Sequence, residues 1–213
     1  DLLAAQVLRV NTLKKDPTPA QLPVSLRLPL DLRVQVLDLA QLDLVEAGQT
    51  LTFRTLKAGL DGSGERYRLS GVSLVSPWAA ISGQLDLGKD APFALQGRID
   101  ADAEGMRFLA HGDAAPFAKV RLPRLLVAGQ GIDPRLFAAG APPADLAFSG
   151  VFEGLPGERL LGTFSLSNRL AGRLDQDRLP LANLTGAVLG DITRADFSTL
   201  AIDLGAAGQL TGD

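Results

Sequence analysis

The feature that most constrains this chain is a strict period of two between Val24 and Val36. Along it Val24, Leu26, Leu28, Leu30, Leu32, Val34 and Val36 alternate with Ser25, Arg27, Pro29, Asp31, Arg33 and Gln35. Side chains of a strand point alternately to opposite faces, so this order predicts a strand with one dry and one wet face. A helix would smear the same apolar residues over its whole surface. At about 3.3 Å per residue the run reaches roughly 40 Å, long for a strand. Pro29 has no N–H to donate, which places an edge or a bulge near it.

Weaker copies of the pattern come after it. Leu42 to Val45 is a short one. Leu51, Phe53 and Thr55 alternate before the register shifts to Leu56, Ala58 and Leu60. Tyr67 and Leu69 precede Val72 and Leu74; Ala79 and Ile81 precede Leu85 and Leu87; Phe93 and Leu95 precede Ile99. Asp61-Gly62-Ser63-Gly64, Ser82-Gly83 and Gly88-Lys89-Asp90 read as the turns between them, giving a meander of hairpins. Further on, Gly105, Gly112, Pro116 and Pro123 interrupt the apolar pieces, and 104–145 reads as an irregular connector. Within it Asp133 as N-cap, Pro134 at the first helical position and Gly140 past the end allow one short helix near 133–140. After Ala141-Pro142-Pro143, strands resume at Leu146 and Phe148 with Val151, then Leu161–Leu166, Leu170–Leu174, Leu184–Leu189 and Phe197–Leu204.

A loose repeat of small residue, Gly, any residue, Leu runs through these strands. It appears as Ser82-Gly83-Gln84-Leu85, Ala171-Gly172-Arg173-Leu174 and Ala207-Gly208-Gln209-Leu210. Such units imply an array in which each strand mainly contacts its neighbours. Leu2 to Val10 suits a strand or a short helix, and Asp16-Pro17-Thr18-Pro19 breaks it from the alternating run. The expected organisation is a lead-in segment over 1–20 and one β segment over 21–213. Asp1 follows no Met or leader, and Gln209–Asp213 stops on a strand-like run. Both ends therefore read as cut from something longer, with any anchor or signal outside.

Composition narrows the function. With 46% apolar and 21% charged residues the chain can bury a core, and no run of 18 apolar residues forms a membrane-spanning helix. A net charge of −3 argues against a nucleic-acid partner, which needs a basic face. There is no Cys, and His111 is the one histidine, so thiol chemistry and the usual zinc ligand sets are missing. No Gly-x-Ser-x-Gly elbow or Gly-x-x-x-x-Gly-Lys-Ser/Thr loop occurs. Gly59–Gly64 suits a hairpin turn, while Asp100, Asp102 and Glu104 suit a solvated strand end better than a glycosidase pair. One Trp and one Tyr cannot build the aromatic girdles of an outer-membrane barrel, and Trp78 suits a strand-connecting turn. The expectation is a chain that is not an enzyme and takes no cofactor or metal.

Several stretches, in order, carry a resemblance. They are Leu22-Pro23-Val24-Ser25-Leu26, Gly71–Trp78, Ser82–Gly88, Ala91–Leu95, Gly140–Leu146, Leu166-Ser167-Asn168 and Gly172–Leu181. Together they resemble the TamB (translocation and assembly module subunit) family, within the wider AsmA-like group, over nearly the whole chain from about residue 20. Between Gly105 and Ala128 this chain is compressed relative to that pattern. The family's membrane anchor and its region for the TamA-like outer-membrane barrel partner have no counterpart here.

The resemblance implies an all-β fold: a long curved, taco-like, antiparallel-rich sheet with an apolar groove. Such β-taco proteins are periplasmic, anchored in the inner membrane of a Gram-negative-type bacterium, and similar to bridge-like lipid transporters. They conduct phospholipid between the membranes and support outer-membrane biogenesis and protein translocation. Read so, Val24, Leu26, Leu28, Leu30, Leu32, Val34, Val36, Leu51, Phe53, Leu85, Leu87, Phe93 and Leu95 line the groove and touch acyl chains, while Arg27 and Arg33 stay in water. Two other readings of the same strands stand beside it. One is an ordinary closed core, and the other is a scaffold whose strand edges template client barrel strands.

Overall fold

A computed structural model describes residues 2–11, 24–46, 49–136, 138, 140–191 and 193–212. It divides into two units, 1–103 and 104–213. The first holds β1 (Leu2–Asn11), β2 (Arg33–Glu46), β3 (Gln49–Asp61), β4 (Arg66–Val75), β5 (Ala80–Gly88) and β6 (Leu95–Ala103). The second holds β7 (Met106–Ala114), β8 (Arg124–Ile132), β9 (Leu146–Leu155), β10 (Arg159–Asn168), β11 (Asn183–Gly190), β12 (Ala195–Asp203) and β13 (Gln209–Gly212). The fold is all-β, as expected. Within each unit the strands pair in sequence order into an open sheet, and every pairing is antiparallel except β1 with β2. Short 3-10 turns at Pro134–Leu136, Leu174–Gln176 and Gly205–Ala207 are the helical pieces among the described residues.

The alternation read correctly where it changed phase. The shift between Thr55 and Leu56 is a bulge: Arg54 pairs with Val75 but Lys57 with Ser73, and Thr55 takes φ 50°. The step from Leu69 to Val72 is another, with Gly71 at φ 58° as the extra residue. Gly131 (φ 71°) and Thr199 (φ 50°) mark the same device in β8 and β12. Bulges bend a strand and add twist, so these sheets are curved rather than flat.

Other expectations need correction. The long strand over Val24–Val36 exists only from Arg33 onward. Before it, Pro29 lacks a donor, Ser25 Oγ accepts from Arg27 N at 3.1 Å, and Leu26 N donates to Lys89 O at 2.7 Å. Backbone groups spent that way cannot join a ladder. β2 instead continues to Glu46 and absorbs the short Leu42–Val45 piece. Leu170–Leu174 is not a strand, because Asn168 Oδ1 takes Leu170 N at 3.0 Å and turns the chain out of β10. Ser82-Gly83 is no turn but the middle of β5. A Cβ at Gly83 would stand 2.3 Å from Arg98 O on β6, so the glycine serves close strand approach.

The stretch 104–145 holds β7 and β8, with Pro116 and Pro123 in their connection, and its other described residues are irregular apart from one 3-10 turn. Near 133–140 the structure forms the 3-10 turn, begun by Asp133 Oδ1 accepting Arg135 N at 3.0 Å. Phe137 and Ala139 lie outside the described residues. Leu2–Asn11 is strand β1 and belongs to the first unit, whereas the rest of the expected lead-in, 12–20, lies outside the described residues.

Candidate functional site

Ladder register shows what each face carries. In the first unit one row runs Val34, Leu60, Leu69, Leu85, Gly97 across β2 to β6. The row beside it runs Arg33, Asp61, Arg68, Asp86, Gln96 across the same five strands. Adjacent residues point to opposite sides, so one face is aliphatic and the other is a ladder of alternating charge. The ion pairs Arg33–Asp61 (3.3 Å), Arg68–Asp86 (2.8 Å) and Asp38–Lys57 (3.6 Å) lie on that wet face. The Asp86 carboxylate raises the Arg68 pKa, and Ser63, more than Arg33, holds Asp61 below its ordinary value. The dry side continues through Tyr67, Leu87 and Leu95, and through Leu74, Ile81 and Ala101.

The second unit repeats the division with different residues. One row reads Phe108, Gly129, Phe148, Leu166, Leu184, Ile202, Leu210 across all seven strands. The opposite face carries Ser149, Ser165, Thr185 and Thr211, with Ser149 Oγ and Ser165 Oγ at 2.8 Å. Phenylalanine and glycine are interleaved on the dry side. A Cβ at Gly129 would meet Phe148 Cε1 at 2.4 Å, and one at Gly150 would meet Phe152 Cε2 at 2.5 Å. The rings lie down over bare backbone, and Phe164 and Phe197 meet edge to face at 6.0 Å.

Among the described residues, no second layer of strands covers either dry face within its unit. Among the described residues, every extensive strand-to-strand contact within a unit is between sequence neighbours. Leu39, Ala58, Phe93, Ala115 and Ala144 are the only buried apolar residues among those described. Most side chains of the dry rows are half-buried, shielded by lateral neighbours, and Leu210 on β13 is exposed.

The expected lining residues fall into four groups. Val34, Leu85, Leu87 and Leu95 stand on the dry rows. Val24, Leu26, Leu28 and Leu30 precede β2 outside the sheet and are exposed; Leu32 is half-buried just ahead of it, where its carbonyl accepts from Gly62 N. Val36 is exposed in the β2 bulge, and Phe93 is buried in the β5–β6 turn. Leu51 and Phe53 pair with Leu44 and Leu42, which alternation places opposite Leu39 and Leu56. The side that Leu39 begins is continued by a polar cluster around Asp43, only 2% exposed. Thr52 Oγ1 (2.8 Å), Gln41 Nε2 (2.9 Å) and Arg9 (3.3 Å) donate to its carboxylate, and these bonds, Thr52 first, hold its pKa below the ordinary value.

Sequence reading missed the dry face of the second unit, although Phe148-x-Gly150-x-Phe152 and Gly162-x-Phe164 carry its period of two. No group of three His, Asp or Glu arranged to hold a metal occurs among the described residues. His111 is exposed on β7 opposite Leu126. Comparison with protein-family models, curated proteins and solved structures finds no match to this chain.

Proposed function

We propose that this chain is a segment of a periplasmic lipid conduit, whose dry sheet faces carry phospholipid acyl chains between the inner and outer membranes. One observation carries the reading: a broad aliphatic and aromatic face, backed by a charged or hydroxyl-bearing one, with no second layer of strands over it in either unit among the described residues. Monomeric proteins rarely leave so much contiguous apolar surface uncovered unless something else covers it. Each CH₂ moved from water onto such a face gains about 0.8 kcal/mol. Successive rows of Leu, Val and Phe offer nearly equivalent seats, so a chain is held yet slides. The charged ladder keeps the other face in water. The resemblance to TamB-like proteins supports a periplasmic location, with the TamA-like barrel partner met elsewhere in the protein.

The test is lipid carried through mild purification. Native mass spectrometry of the 213-residue chain should show bound phospholipid, released by denaturation. A chain that emerges lipid-free, and stays so after incubation with phospholipid vesicles, sinks the reading.

The second reading, a scaffold that pairs with client β-strands, has its own observation. Edge strand β1 exposes Leu2, Leu3, Val7 and Leu8, and long apolar edges template further strands. A photoreactive residue at Val7 that captures barrel proteins, with none at Leu85 capturing lipid, would favour it.

A further inference from the structure

Residues 24–32 are apolar at every second position yet lie outside the sheet. They cross the ends of several strands in the first unit. Leu26 N donates to Lys89 O at 2.7 Å, Ala91 N to Val24 O at 3.3 Å and Gly62 N to Leu32 O at 2.7 Å. Ser25 forms an isolated antiparallel bridge to Asp90. The Arg27 guanidinium reaches two turns at once, meeting Asp90 Oδ2 at 2.6 Å and also Glu65. Tyr67, a dry-side residue, donates its hydroxyl to Leu26 O at 2.7 Å, and Lys89 Nζ stands 4.7 Å from its ring centre while bonding to Gly62 O. The strap therefore passes over the Tyr67 end of the dry face.

What holds the strap is almost wholly polar. Val24, Leu26, Leu28 and Leu30 remain 83%, 37%, 50% and 63% exposed, so closure buries their apolar surface only in part. Exposed ion pairs such as those of Arg27 add little, since solvent screens them. Segments with few buried apolar contacts and solvent-facing hydrogen bonds open at low cost. The strap thus combines a largely polar attachment, a position over the dry face, and apolar side chains that stay partly open to solvent.

We infer that residues 24–32 are a hinged lid on the dry face. The lid lifts at Arg27 to admit an acyl chain onto the Tyr67–Leu87–Leu95 row, and Leu26, Leu28 and Leu30 then lie against that chain. This rests on the acyl-chain reading of the face, and the experiment separates the two.

Antiparallel partners such as Ser25 and Asp90 have Cα atoms about 4.5–5.5 Å apart, within the range of roughly 4.4–6.8 Å that a disulfide spans. The chain has no cysteine, so Ser25→Cys with Asp90→Cys makes the only disulfide and locks the strap. Photoreactive residues at Leu87 and, separately, at Phe164 in the second unit then report capture of phospholipid from phosphatidylcholine vesicles. Circular dichroism confirms the fold in each redox state. The expected result is capture at Leu87 in the reduced protein, its loss on oxidation and its return on reduction, with capture at Phe164 unaffected. Equal capture at Leu87 in both states overturns the lid while Phe164 still supports the acyl-chain reading. No capture at either position, locked or unlocked, overturns both. Arg27→Glu, which repels both carboxylates, should raise the rate of capture at Leu87, and an unchanged rate also counts against the lid.

Discussion

Gly162 pairs directly with Phe152 in the β9–β10 ladder, and a Cβ on Gly162 would stand 2.3 Å from Phe152 Cδ1. The ring occupies the space that any side chain at 162 would need. Cross-strand pairs of aromatic and glycine recur along this face, at Phe148 with Gly129 and at Phe164 with both Gly150 and Gly186. The glycines are therefore part of how seven strands lay large rings flat on one side. Gly162→Ala should destabilise the second unit by about 1–3 kcal/mol, the usual cost of overpacking. Phe152→Ala in the same chain should return only part of that, because the new methyl also meets Val151 O at 2.6 Å. A double-mutant cycle from denaturant unfolding measures the coupling, and simple additivity would refute the packing account.

Asp43 gives the first unit an acid-sensitive joint. Its carboxylate takes hydrogen bonds from Thr52, Gln41 and Arg9, and its pKa is lowered in the folded chain. A carboxyl with a depressed folded pKa binds its proton more readily once unfolded. Its stabilising contribution is complete above the unfolded value near about 4 and is lost as pH falls through the folded value. Asp43→Asn should therefore flatten the loss of stability below about pH 4 while lowering stability at neutral pH. Urea midpoints against pH for both proteins decide this, and parallel curves would contradict it.

Thr199 adopts φ 50° at the β12 bulge, a backbone shape that a β-branched residue tolerates badly. Its Oγ1 bonds Ser198 O at 2.8 Å, which offsets part of the strain. Thr199→Gly should gain about 1 kcal/mol, since relief of roughly 1–3 kcal/mol of strain exceeds glycine's entropic cost of about 0.5–1 kcal/mol. Thr199→Val keeps the strain and loses the bond, so it should be less stable than the parent. Denaturation midpoints in the order Gly, Thr, Val check the assignment.

Legibility in the sequence tracked the physics of each segment. Phase changes such as Thr55 to Leu56 and Leu69 to Val72 were visible because a bulge flips the apolar alternation, and the structure places positive φ at Thr55 and Gly71. The run from Val24 misled because alternation records which side chains avoid water, not where backbone donors go. Only Pro29 hinted that those donors were spent elsewhere. The side switch at Asp43 could not be read locally, since its carboxylate is held first by Thr52 from the paired strand β3 and also by Arg9, which arrives in a parallel strand from far away in sequence. Phe and Gly at period two in β9 and β10 were legible, but glycine reads as a turn until its cross-strand partner is known.

Neighbouring residues on β5 offer the cleanest test of the faces. Leu85 sits in the dry row between Leu69 and Gly97, while Gln84 points to the wet side and pairs with Arg98. The same substitution at each should therefore have unlike effects. Leu85→Glu sets a carboxylate where an acyl chain would remove its water, and an unpaired charge in an apolar seat is expensive. Gln84→Glu adds its charge in solvent, opposite a cation. Captured phospholipid at Leu87 should fall by roughly tenfold or more for Leu85→Glu, equivalent to about 1.4 kcal/mol or more. It should stay near the parental amount for Gln84→Glu. Far-UV circular dichroism and the urea midpoint control for unfolding, because Leu85 is only half-buried and its loss leaves the ladder paired. Equal effects from the two variants would show that the aliphatic face is not where the acyl chain lies.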